Sequence, residues 1–433
     1  MTAVPTPEPD GAPRLASLDI LRGVAILGIL FMNVNDMGQS FSSPDIRHLG
    51  WSIADQVAWW VRDIVADGTA RALLEMLFGA GMVILTDRIA QAAGDHLVLG
   101  RYFRRNVVLW VFGIVHMFVL LWPGDILHTY AVAAMVAVWF RRWRPRWLIA
   151  LGLFAAVAQF GGAGYFGIYK PIHTRAEVAA LTAKRDAGVT LDKAETATLA
   201  KASARAAKRA KAQAAHKAAV VAEDKARSGS TTDWVKAQIA KSVERLDLSE
   251  LFSIWEAAST MLIGAALFKL GILQGQRSRA FYAGVTLAAY AFAVPLRVLG
   301  AYESTRFTTD PQFSWATDEF ARLGMTLGHI GLIHLLLGTA LGARLLRPFV
   351  AAGRTALTLY VLQTIVLLWV LFPPFGFALY GRLTWMPMML VSAGVDLALL
   401  ALAMLWVRHF AIAPVEWAWR SVVERRRLPF RAI

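Results

Sequence analysis

The residues best suited to chemistry in this chain sit inside apolar runs: Asp19 and Arg22, Arg71 and Glu75, His116, Asp125 and His128, Glu256, Arg297, and Arg322 with His329. A charged group at mid-depth in a bilayer costs at least about 2.5 kcal/mol, so such residues face a bundle interior and mark function. They form two tiers. Asp19 and Arg22 lie three apart on one helix face, where they either pair with each other or meet a phosphorylated donor. The second tier converges from six helices at the opposite depth. A lone buried histidine is commonly a hydrogen-bonded packing residue, whereas several titratable groups at one depth favour acid–base chemistry. The WPGD turn, 122–125, puts Asp125 at the start of the next helix as an N-cap. Capping does not account for His116, about one and a half turns below, nor for Asn33 and Asn35, which bring amides to the same level.

The elements that must position these groups follow from composition. Of 433 residues, 57% are apolar and 17% charged, and the apolar ones come in runs of the length that crosses a hydrocarbon core. No period-two alternation supports a barrel. The absence of cysteine excludes disulfides, thiolate metal sites and a cysteine nucleophile; no metal and no nucleic acid partner are expected. The fold class is all-α: a polytopic transmembrane bundle of about ten spans, at 17–36, 69–90, 105–122, 125–140, 147–168, 251–273, 280–299, 319–343, 354–372 and 385–407. SIADQVAWWVRDIVAD, between the first two, has the periodicity of an interfacial amphipathic helix.

Nineteen Lys or Arg flank alternate ends of these runs and the C-terminus, against Arg47, Arg62, Arg306 and Arg382 in the opposite short loops. By the positive-inside rule both termini are cytoplasmic. The chain then divides into a disordered tail (1–16), an N-terminal transmembrane half (17–168), a basic Ala-rich extracytoplasmic insertion (169–250), a C-terminal half (251–409) and a basic cytoplasmic tail (410–433). The insertion carries fifteen Lys or Arg against nine Asp or Glu over 171–247. It reads either as a solvated spacer helix or as an arm for anionic lipid heads or an anionic polymer. The expected location is the bacterial cytoplasmic (inner) membrane, with membrane lipids as partners and a homodimer as a candidate assembly.

Five ordered blocks, LDILRGVAILGILFMN from Leu18, LLEMLFGAG from Leu73, VFGIVHMFVLLWPGDILHTYAV from Val111, GRTALTLYVLQT from Gly353 and FAIAPVEWAWRS from Phe410, resemble the YeiB-like bacterial membrane proteins, domain of unknown function 418. The first block also resembles the opening helix of the transmembrane acyltransferase superfamily, which includes heparan-α-glucosaminide N-acetyltransferase. The matching elements are Asp19, Arg22 and, fourteen after the Asp, Asn33; the branch with Asn finds its histidine in the following outer loop, where His48 stands.

This resemblance implies transfer of an acyl group, such as acetyl, from cytoplasmic acetyl-CoA or another acyl-CoA to a hydroxyl or amine of an extracytoplasmic glycan or lipid. Asp19, Arg22, Arg104, Arg105 and Arg354 would hold the donor. His116 or His48 would act as base, Asp125 or Glu75 as its orienter, and Asn33, Arg71 or Arg322 as oxyanion donors. Trp122, Arg297 and His329 would line the acceptor site with Arg71 and Arg322. A transporter or flippase would use the same intramembrane charges to line a path, and a non-catalytic scaffold would use them as interhelical glue.

Overall fold

The computed structural model describes residues 16–430 except Pro44 and Thr309. The expected tail therefore lies outside the described residues, apart from Ala16. All regular structure among these residues is helical. The first half contains α1 (Ala16–Gly38), α2 (Ile53–Val65), α3 (Thr69–Ala93), α4 (Val98–Phe118), α5 (Leu127–Ala137) and α6 (Pro145–Gly162). The insertion forms α7 (Lys170–Asp186), α8 (Lys193–Arg227) and α9 (Thr231–Arg245). The second half has α10 (Glu250–Lys269), α11 (Arg279–Thr305), α12 (Ser314–Leu337), α13 (Ala340–Leu346), α14 (Pro348–Arg354), α15 (Ala356–Ile365), α16 (Trp385–His409) and α17 (Pro414–Glu424).

Among the described residues seven stretches are long and apolar enough to cross a membrane: α1, α2 with α3, α6 with α7, α10, α11, α12 and α16. An eighth arises if Ala340–Arg354 and Ala356–Leu371, which meet at 80°, form one broken span. This is the build of a membrane protein. Its exterior agrees, because α11 and α16 turn Leu287 (74% exposed) and Leu397 (68%) outward, where a lipid covering suits them. Ten spans were expected. Of the expected segments that stand apart, 105–122 lies in α4, whose first turns carry Arg101, Arg104 and Arg105; 125–140 falls in an apolar helix that ends at Phe140; and 354–372 is one arm of the bent pair.

The expected interfacial segment is α2. Ser52 and Asp55 close a capping box at its start, Trp59 is buried, and Ile53, Val57, Val61 and Val65 form an exposed stripe with a spacing of four.

A close backbone crossing of α1 and α14 fixes the frame at the site. Gly23 of α1 faces the Phe349 carbonyl and Gly353 faces the Asp19 carbonyl so closely that any Cβ would overlap. This draws α14 onto the basic-loop end of α1 and sets Arg22 3.4 Å from the Gly353 carbonyl.

The insertion is built onto the bundle rather than hung from it. α6 continues through a wide-turn segment, Ala163–Tyr169, into α7, and Lys184 binds Glu195 at 2.6 Å where α7 meets α8. The middle of α8 is exposed, but its last turn and α9 are docked. Arg227, 1% exposed, donates to the carbonyls of Asp36, Met37 and Gln39 at the far end of α1. Trp234 of α9 is fully buried against Trp369 and Phe375. Gln238 donates to the Leu121 carbonyl at 2.9 Å and Ser242 to that of Met117 at 3.3 Å. A spacer surrounded by water does not describe this half of the insertion.

Candidate active site

α4 ends in the WPGD turn, which folds the chain back into α5 and brings Asp125 over His116. Gly113 permits the approach, since a Cβ there would meet the His128 backbone nitrogen and the Asp125 carboxylate. Asp125 stands one residue before the N-cap of α5, Ile126, rather than at it. Its Oδ2 still accepts from the His128 backbone N–H in the first turn at 3.0 Å, and lies 2.9 Å from His128 Nδ1. Its Oδ1 is 2.7 Å from His116 Nδ1. His116 Nε2 is 2.9 Å from Thr364 Oγ1 on α15, and the Tyr360 ring centroid stands 4.8 Å from that of His116. The chain of polar groups continues outward from His128 Nε2 to Glu250 at 3.0 Å. His116 is 2% exposed.

A cleft of about 230 Å³ rises from the basic-loop end towards this cluster. Arg22, Arg105, Arg354 and Arg420 stand at its mouth, Leu77, Phe78, Met82 and Leu109 line its shaft, and Tyr130, Ile126 and Tyr360 close its far end. Tyr360 links cleft and cluster: it lines the one, and its hydroxyl is 3.4 Å from Asp125 Oδ1 in the other. The mouth is shaped by α17. Trp419 lies under the Arg105 guanidinium at 4.0 Å, and Glu416 accepts from the Leu357 and Thr358 backbone N–H groups at the start of α15. Burial pushes the Glu416 carboxyl above its usual value although the Thr358 hydrogen bonds pull against this.

The other expected site residues are placed as follows. Asp19 pairs with Arg22 at 2.9 Å rather than lining the cleft, and Arg104 is not part of its wall. His48 Nε2 is held by Asp224 of α8 at 2.7 Å, and Asp224 also accepts from Tyr380 at 2.8 Å, so His48 ties the insertion to the bundle. Glu75 is bound to Arg322 at 3.0 Å and not to His116. Arg322 also bonds Glu319 and Glu256, and Arg71 pairs with Glu256. Arg297 binds Asp318 and the Asp67 carbonyl, while His329 sits between Tyr290 and the Val65 carbonyl. Trp122 is buried against Phe41. Asn33 is half-buried on α1 and lines neither the cleft nor the His116 cluster. The second tier thus separates into a His116 cluster, an Arg322 cluster and smaller pairs.

Sequence reasoning missed Thr364, Tyr360, Glu416 and Arg227. The first two are ordinary residues in an apolar helix and gave no signal of type or charge. Asp396, buried on α16 3.1 Å from Gln363 Nε2, was an intramembrane acid that the charge criterion should have found.

Residues 267–426 match the family described as "Protein of unknown function (DUF418)". The chain is 28% identical to the uncharacterized protein YxaH of Bacillus subtilis over 94% of each chain. It is 25% identical to the uncharacterized protein YeiB of Escherichia coli, over 96% of this chain and 98% of that one. An uncharacterized 39.9 kDa protein of Bacillus acidopullulyticus is 22% identical over 96% and 95%. No solved structure matches.

Proposed function

The chain belongs to the YeiB-like DUF418 family of membrane proteins, and on that premise we propose that it transfers an acyl group from a cytoplasmic acyl-CoA to an alcohol or amine beyond the membrane. One observation carries the reading: a single cleft runs from four arginines to Tyr360, which touches the His116–Asp125 pair. Phosphates suit the arginine mouth, because guanidinium groups bind such oxygens through paired, charge-assisted hydrogen bonds. An extended thioester arm suits the apolar shaft, and the nucleotide would stay at the mouth beside Trp419. Asp125 orients His116 in the way a general base requires. The positive-inside bias supports a cytoplasmic mouth in a bacterial inner membrane, and the acceptor would be a glycan or a lipid. Transport is the second reading, favoured by the 80° break between α14 and α15 beside the cleft.

The test is titration of purified protein with CoA and acetyl-CoA by calorimetry at low ionic strength. Binding should weaken with salt, and Arg105→Ala should weaken it by about 10- to 100-fold, as expected for loss of a charge-assisted contact. Absence of binding at millimolar CoA would put the transport reading ahead.

A further inference from the structure

Taking the acyl-transfer reading as its basis, we propose that Thr364 is the nucleophile, and that transfer proceeds through an acyl-threonine ester rather than directly from donor to acceptor. Thr364 Oγ1, His116 and Asp125 stand in line: 2.9 Å from hydroxyl to Nε2, and 2.7 Å from Nδ1 to carboxylate. This is the spacing by which a hydroxyl is activated through an oriented base.

Proton bookkeeping supports the order. An ionised Asp125 can only accept, so neutral His116 carries its proton on Nδ1 and presents the Nε2 lone pair to Thr364. The competing acceptor for the threonine hydroxyl, the Tyr360 carbonyl one turn back, is 3.5 Å away. Position agrees as well. Thr364 lies on α15 one helical turn beyond Tyr360, which closes the cleft, so a thioester that displaces the Tyr360 ring meets the Thr364 hydroxyl next.

In the first half-reaction Thr364 Oγ attacks the thioester carbonyl carbon while His116 Nε2 takes the hydroxyl proton. The C–S bond breaks, and the same proton passes to sulfur, releasing CoA thiol and leaving the threonine ester. In the second, His116 accepts the proton of the acceptor alcohol or amine as it attacks the ester carbonyl. The C–O bond to Thr364 breaks and His116 returns the proton to Oγ. Each proton taken is given back, and no co-reactant beyond donor and acceptor is needed.

An ester intermediate makes the first half-reaction reversible without any acceptor, so full-length protein in nanodiscs should exchange radiolabelled CoA into unlabelled acetyl-CoA. Acid-quenched protein should carry one acetyl group on the peptide containing Thr364. Thr364→Val, which keeps the shape, should lower exchange by at least about 1000-fold while acetyl-CoA binding and the thermal midpoint stay near wild type; Thr364→Ser should retain exchange. Bound acetyl-CoA without exchange, a label on His116 instead, or full exchange in Thr364→Val would each overturn the nucleophile and leave the proposed function standing. A wild-type protein that binds no acyl-CoA would overturn both.

Discussion

Arg227, 191 residues away in sequence, donates from both terminal nitrogens to the carbonyl oxygen of Asp36, at 3.2 and 3.1 Å. The last turn of a helix leaves its carbonyls without partners, and this guanidinium, which also reaches Met37 and Gln39, supplies them for α1. It is sandwiched between Phe41 and Tyr380. Arg227→Ala should therefore destabilise the detergent-solubilised protein by about 2–4 kcal/mol, read as a fall in thermal midpoint. Lys208→Ala, on the exposed stretch of α8, should leave the midpoint unchanged.

Glu223 gives the same junction a dependence on pH. Burial works to raise its carboxyl, but bonds from Ser42, Ser40 and Phe41 and the charge of Arg227 outweigh it and hold the group below its usual value. A depressed folded value means stabilisation that is complete above the ordinary glutamate range and lost as pH falls through the folded value. The gap in thermal midpoint between wild type and Glu223→Gln should be widest at neutral pH and close on acidification. A gap that widens in acid would refute the assignment.

Because the chain has no cysteine, a single Val189→Cys change at the exposed α7–α8 connection gives a clean topology probe. Membrane-impermeant maleimide added to intact cells should label it, whereas Arg426→Cys should label only after permeabilisation. The reverse pattern would move the arginine mouth outside and remove the CoA donor from reach.

His116 and His48 should behave differently. His116→Gln should cut acceptor-independent exchange by about 100-fold or more, as loss of a general base does, with donor binding retained. His48→Gln breaks the contact with Asp224 and should shift the thermal midpoint while leaving exchange intact.

What could be read in the sequence is what repeats or carries charge. The apolar runs announced the helices, and the WPGD turn announced that Asp125 and His116 would meet. Partners far apart in sequence were not legible. Arg227 looked like one of fifteen cations in a polar insertion, because nothing in its neighbourhood names the carbonyls at and just past the end of α1 as its destination. Thr364 was silent because a hydroxyl one helical turn from its own chain's carbonyl is usual in any apolar helix, and only the crossing of α15 past α4 gives it a histidine. The second tier was read by depth alone, and depth does not distinguish Glu75 bound to Arg322 from Glu75 bound to His116.

The seating of α9 has a bearing on bioenergetics. Trp234 packs on Trp369 and Phe375, while Gln238 and Ser242 bond the Leu121 and Met117 carbonyls, between the end of α4 and the turn that holds Asp125. Beneath them, carboxylates, imidazoles and hydroxyls follow one another at hydrogen-bonding distance, and a cleft reaches up from the other side. Such a series is a ready conductor of protons, and in a coupling membrane an open conductor would short-circuit the ion gradient on which the cell runs. The cover bonded to the Leu121 and Met117 carbonyls screens one side of the series, but its outer end is the partly exposed Glu250, so the electrical insulation has to come from the apolar shaft of the cleft that separates the cluster from the arginine mouth.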